Sequence, residues 1–135
     1  MNLDQLKEQL AKDLEIDFTN LQLMAARNPI LYSQWMNRHA DIRKIMLQHE
    51  ASKKRLSKTK LDYYSGRSDD CSFDRYERSE MKTVMGGDDE MVKIETTIEY
   101  YQILLEYCSG ALDAIRSRGF SIKHIIDLRT FESGA

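Results

Sequence analysis

The apolar positions of this chain fall into helical stripes along most of its length. Leu3, Leu6, Leu10 and Leu14 recur at spacings of three, four and four, which predicts a first helix over Leu3 to about Leu14. Asp4, Lys7, Glu8, Lys12 and Asp13 form its polar face. Leu21, Met24 and Ala25 suggest a shorter helix over residues 20–27. Asn28-Pro29 then reads as a fresh helix start, with Asn as N-cap and Pro in the first helical position. From there a long helix is expected to about Tyr64. Leu31, Trp35, Ile42, Ile45 and Met46 share its inner face, and beyond Leu47 the stripe thins to Leu56 and Leu61. The distal end of this helix is therefore expected to leave its core and present a working surface.

Ser65 to Asp70 reads as a loop, followed by a short helix from Phe73 to Met85. Gly86-Gly87 breaks the chain again, and Asp88 and Asp89 sit where the dipole of the next helix favours acid. Met91, Ile94, Ile98, Tyr101, Leu105, Cys108, Leu112 and Ile115 then recur at 3, 4, 3, 4, 3, 4, 3, a heptad seam. Ile103, Leu104 and Tyr107 widen it. Such a seam serves an intramolecular bundle as readily as an oligomer interface; the small size of the chain favours self-association. Arg118-Gly119-Phe120 reads as a helix stop, with Ser121 capping a last short helix containing Ile122, Ile125 and Ile126. One proline and six glycines in 135 residues agree with an all-α fold. The organisation expected is one compact protomer, with a first helical region over residues 1–67 and an oligomerisation region over residues 68–135.

Charge singles out one segment. The chain has 20 Lys+Arg against 22 Asp+Glu, a net charge of −2. Yet Lys53, Lys54, Arg55, Lys58, Lys60 and Arg67 cluster around a single acid, Asp62, with Tyr63 and Tyr64 beside them. Cations that track phosphates, next to rings that can stack on bases, suit a single nucleic-acid strand. A solvated helix face without function is the plain alternative.

No catalytic constellation stands out. His39, His49 and His124 are scattered, Cys71 and Cys108 are unpaired in sequence, and no phosphate-binding GxxxxGK[ST] occurs. The absence of a Cys framework suggests reduced thiols and an intracellular setting. The charged N-terminus has no signal-peptide core, and no apolar run is long enough for a membrane span. A binding protein is expected, not an enzyme, with no cofactor or metal.

The blocks ILYSQWMNRH (Ile30–His39), LDYYSGR (Leu61–Arg67), DRYERSEMKTV (Asp74–Val84) and CSGALDAIRSRGFSIKHI (Cys108–Ile125) resemble the UvsY family, the recombination mediators of T-even-like bacteriophages. The resemblance covers nearly the whole chain. It implies a helical protomer that assembles into a ring-like hexamer or heptamer in the cytoplasm of the infected host. It also implies binding to single-stranded DNA, to a RecA-like phage recombinase and to the phage single-strand-binding protein. The mediator helps the recombinase replace that protein on the strand, in homologous recombination and recombination-dependent replication. The family's DNA-binding motif maps onto Lys58 to Arg67, with Lys58 and Lys60 in its basic positions, and the heptad seam maps onto its assembly element. Position 60 is Lys where Arg looks to be the family alternative, which keeps the charge and loses the planar fork. The alternatives are a helical scaffold whose basic segment meets an acidic protein and, less well matched, a regulator that reads duplex DNA.

Overall fold

A computed structural model describes residues 1–67, 71 and 76–134. They form four helices: α1 (Leu3–Asp13), α2 (Leu21–Ser65), α3 (Arg78–Gly86) and α4 (Asp89–Glu132). No strand occurs among the described residues, and none of their helices is long and apolar enough to cross a membrane. The chain packs as two compact units, one built from Met1–Ile42 with Ile103–Ala135 and the other from Arg43–Gln102. Helices α2 and α4 contribute to both.

In the first unit, α1 opens on a capping box. The Asn2 side chain accepts from the Gln5 N–H, and the Gln5 side chain accepts from the Asn2 N–H. Leu6 is fully buried, while Leu3, Leu10 and Leu14 are half-buried around it, so the predicted stripe is the inner face. Trp35 is likewise fully buried; its indole N–H donates to Asp13 Oδ2 at 2.9 Å, and its ring meets Tyr107 at 6.5 Å. Leu104, Leu105, Cys108, Ala111, Ile115 and Ile122 supply the α4 side of this core.

Two predicted helix boundaries are absent. Helix α2 begins eight residues before Pro29, its first turn capped by the Asn20 side chain, which accepts from the Leu23 N–H at 3.3 Å. Asn28 does not cap: its Nδ2 donates to the Ile115 carbonyl at 2.9 Å and its Oδ1 accepts from Arg118 at 2.7 Å. Helix α4 does not stop at residues 118–120. Gly119 lies inside it, at a point where a Cβ would stand 2.7 Å from Asn28 Nδ2. Arg118 is no solvated end-of-helix cation; it is buried, and it also donates to the Glu15 carbonyl at 2.9 Å. Both breaker-like signals belong to one close tertiary contact, which overrides local propensity.

The second unit has a thinner core. Its buried apolar side chains among the described residues are Met46, Met81 and Met91; Leu56, Ile94, Ile98 and Tyr101 are half-buried. The facing stretches of α2 and α4 run antiparallel within it: His49 stacks on Tyr101 at 5.2 Å, Ser57 meets Met91, and Lys60 reaches Glu90. Ile45, expected on the inner face, is exposed. Helix α3 begins at Arg78; the predicted start at Phe73 lies outside the described residues.

Candidate nucleic-acid interface

The distal part of α2 carries the basic segment, and helix geometry sorts its cations onto two faces. Lys53 and Lys60 follow Met46 at intervals of seven, so they continue the inner seam. Lys54, Arg55 and Lys58 fall on the opposite side and are exposed. The Lys58 side chain is 81% exposed, and its only ion pair among the described residues is the adjacent-turn contact with Asp62 at 3.4 Å. The Arg55 guanidinium donates to the Ser52 hydroxyl at 3.5 Å, and among the described residues no carboxylate pairs with Lys54 or Arg55. These three cations are free to meet phosphate.

The inward lysines are engaged. Lys53 lies 3.5 Å from Glu95. Lys60 lies 3.2 Å from both Asp88 and Glu90, and its side chain is only 16% exposed. Burial alone would lower the Lys60 ammonium; its bonds to Glu90 and Asp88 outweigh that and raise it. Asp88 is the centre of this cluster. One oxygen accepts the Tyr64 hydroxyl at 2.6 Å, and the other caps α4 by accepting the Glu90 and Met91 N–H groups. Burial favours its neutral form, but the Tyr64 hydroxyl, the Met91 N–H and Lys60 reverse this and hold the carboxyl below its ordinary range. The same bond, with burial added, pushes Tyr64 up to about 12.

The tyrosines are thereby committed to packing. Tyr63 and Tyr64 meet edge-on at 5.0 Å, Tyr64 meets Tyr76 at 5.9 Å, and Lys60 Nζ lies 5.9 Å from the Tyr63 ring centre. Helix α2 ends on Gly66, whose φ of 79° only glycine adopts without strain. The Arg67 N–H then bonds back to the Asp62 carbonyl at 2.9 Å, which fixes the exposed Arg67 beyond the helix end. Arg67 lines a cleft of about 400 Å³ with Arg78, Tyr76 and Leu61. Arg78 escaped sequence reasoning because its one signal, a cation at the start of a short helix, is generic.

The seam of α4 is divided too. Met91, Leu105, Cys108 and Ile115 are buried inside the protomer, while Ile94, Ile98, Tyr101 and Leu112 are half-buried. The exposed apolar positions of α4 lie elsewhere, at Val92, Tyr100, Ile103, Phe120, Leu128 and Phe131. Burial pushes the Cys108 thiol up, which keeps it unreactive. Among the described residues no cluster of His, Cys, Asp or Glu is arranged to hold a metal ion.

Residues 9–135 match a family model described as the recombination, repair and ssDNA-binding protein UvsY. The chain is 57% identical to the recombination protein uvsY of Enterobacteria phage T4, over 99% of each chain. Among solved structures it is similar to the bacteriophage T4 recombination mediator protein UvsY in lattice type II, with a TM-score of 0.92, 57% identity and 98% of each chain covered. A second crystal form, lattice type III, gives a TM-score of 0.80 at 47% identity, covering 98% of this chain and 99% of that one.

Proposed function

Because the chain belongs to the UvsY family, we propose that it is a recombination mediator: it binds single-stranded DNA and promotes loading of a RecA-like recombinase onto strands covered by single-strand-binding protein. One observation carries the placement of the strand. Lys54, Arg55 and Lys58 share an exposed face of α2, turned away from the acids that engage Lys53 and Lys60. Arg67 extends this face beyond the helix end. Lys60 and Tyr64 act behind it, holding the head of α4 against α2, and Tyr63 packs beside them on α2.

A handful of cations binds a strand weakly, and each phosphate neutralised contributes about 0.7 to the log–log salt slope. Assembly raises that affinity. A ring with one patch per subunit makes later contacts intramolecular, a gain of roughly 10²–10⁴. The reading therefore includes a hexamer or heptamer formed through the C-terminal half, with exposed positions such as Ile103 available to a second copy. A strand drawn round such a ring fits the recombinase better than the single-strand-binding protein, and that difference in affinity drives the exchange. The mediator performs no bond-making step itself, and it works in the cytoplasm of the infected host.

The test is fluorescence anisotropy of labelled oligo-dT against a duplex of equal length, at two salt concentrations. Wild type should prefer the single strand and lose affinity with salt. Lys54→Ala/Arg55→Ala/Lys58→Ala should bind weakly with a smaller salt slope. Equal binding to duplex, or none, would reject the reading in favour of an acidic protein partner.

A further inference from the structure

Stacking on a base needs an aromatic face open to solvent beside cations. The basic segment does not offer one, because Tyr64 is held by Asp88 and Tyr76 and Tyr63 packs edge-on against Tyr64. The first unit does. There Arg116, Phe120 and Lys123 project from one stripe of α4 into an open groove of about 580 Å³, whose other wall is Asn28, Pro29 and Tyr32 of α2. Phe120 is 60% exposed. The Arg116 guanidinium lies 5.7 Å from the Tyr32 ring centre and donates to Tyr32 Oη at 2.9 Å, which sets a cation beside the aromatic wall. Gly119 keeps the floor open down to Asn28. Among the described residues no carboxylate lines the groove. Asp113 approaches Arg116 at 3.7 Å, but both side chains are more than half exposed, so the pair is weak. Phe120 is thus an exposed ring set between two cations of one helix stripe.

We propose that this groove is a second contact for single-stranded nucleic acid: one base stacks on Phe120 against the Tyr32 wall, and Arg116 and Lys123 meet the flanking phosphates. The proposal rests on the strand-binding reading above and adds to it the stacking contact that the basic segment lacks. Its recognition is indifferent to sequence, because every base has a face to stack.

Anisotropy with oligo-dT and with an abasic strand of the same length tests it, alongside light scattering for the mass in solution. Phe120→Ala should bind oligo-dT about tenfold more weakly, with the abasic strand little changed. Phe120→Trp should restore binding, which sets stacking apart from general disturbance. Arg116→Ala/Lys123→Ala should weaken binding to both strands and reduce the salt slope by about 0.7 for each phosphate that is no longer neutralised. Photocrosslinking with 4-thiothymidine should label Tyr32 or Phe120. Unchanged oligo-dT binding by Phe120→Ala would overturn the proposal. So would an equal loss on both strands, or a changed mass in solution, which would make the groove an interface between copies. Wild-type protein that fails to bind oligo-dT defeats the strand-binding reading and the groove with it. Binding that is lost in the Lys54, Arg55 and Lys58 variant but untouched by Phe120→Ala defeats the groove alone.

Discussion

Asn28 and Gly119 form one contact: the Asn28 amide occupies the space that a side chain at residue 119 would fill, 2.7 Å from the position of its Cβ. Two hydrogen bonds, to the Ile115 carbonyl and from Arg118, hold that amide in place. Gly119→Ala must displace it. Overpacking of about 1–3 kcal/mol exceeds the gain of about 1 kcal/mol from replacing glycine within a helix. Urea unfolding should therefore show a net loss of about 1 kcal/mol. In an Asn28→Ala background the same change should cost nothing further, because the two sites share the contact.

Lys58 and Lys60 are two residues apart, yet different measurements should reveal them. Lys58→Ala removes an exposed cation whose pair with Asp62 is worth about 0.3–0.5 kcal/mol. Strand affinity should fall while the melting temperature holds. Lys60→Ala leaves Asp88, which is 8% exposed, without its cation. Stability should fall by about 1–3 kcal/mol, and Lys60→Arg should recover most of it. An unchanged melting temperature in Lys60→Ala would show that the cluster does not depend on the ammonium.

The cluster also sets a pH dependence at both ends of the scale. Asp88 has a lowered folded pKa, so its contribution is complete above the unfolded carboxylate range and is lost as pH falls through the folded value. Tyr64 has a raised one. Its contribution is complete below its ordinary value of 10.0 and is lost as pH rises toward about 12. Lys60, also raised, acts in the same alkaline direction. Stability curves of wild type and Tyr64→Phe should converge between pH 10 and 12. Those of wild type and Asp88→Asn should converge in acid.

Position 105 is the wrong place to probe assembly. Leu105 is 5% exposed inside the protomer, so Leu105→Asp should unfold it, with loss of helical circular dichroism. Ile103→Asp, at a position 48% exposed, should keep the helical signal and lower the mass in solution, if α4 supplies the contact between copies.

Much of this architecture was legible from periodicity alone. The four-leucine stripe marked α1, and the thinning of apolar positions marked the basic end of α2. The seam of α4 was visible at full strength, because a long stripe survives any single local exception. The missed boundaries had a common cause. Asn before Pro and Gly after Arg are cap chemistry, but small polar and side-chain-free residues also serve close helix contacts, and local sequence does not tell the two uses apart. The inward lysines had a readable signal in the interval from Met46 to Lys53 to Lys60. The charge of the segment is a matter of composition, whereas the direction each lysine faces is set by heptad phase. The groove of the first unit was not legible, since it pairs residues almost ninety positions apart.

The methionine core of the second unit has a consequence for the order in which the chain comes undone. Thioether side chains fill gaps with many shapes at nearly equal energy, so three of them fasten a fold loosely. The first unit is pinned by a fully enclosed indole and branched aliphatics with few alternatives. Amide protons of residues 43–67 and 76–102 should thus exchange with solvent well before those around Trp35 and Ile115. A strand bound to the basic segment would rest on the softer of the two foundations, able to give way locally while the rest of the chain keeps its form.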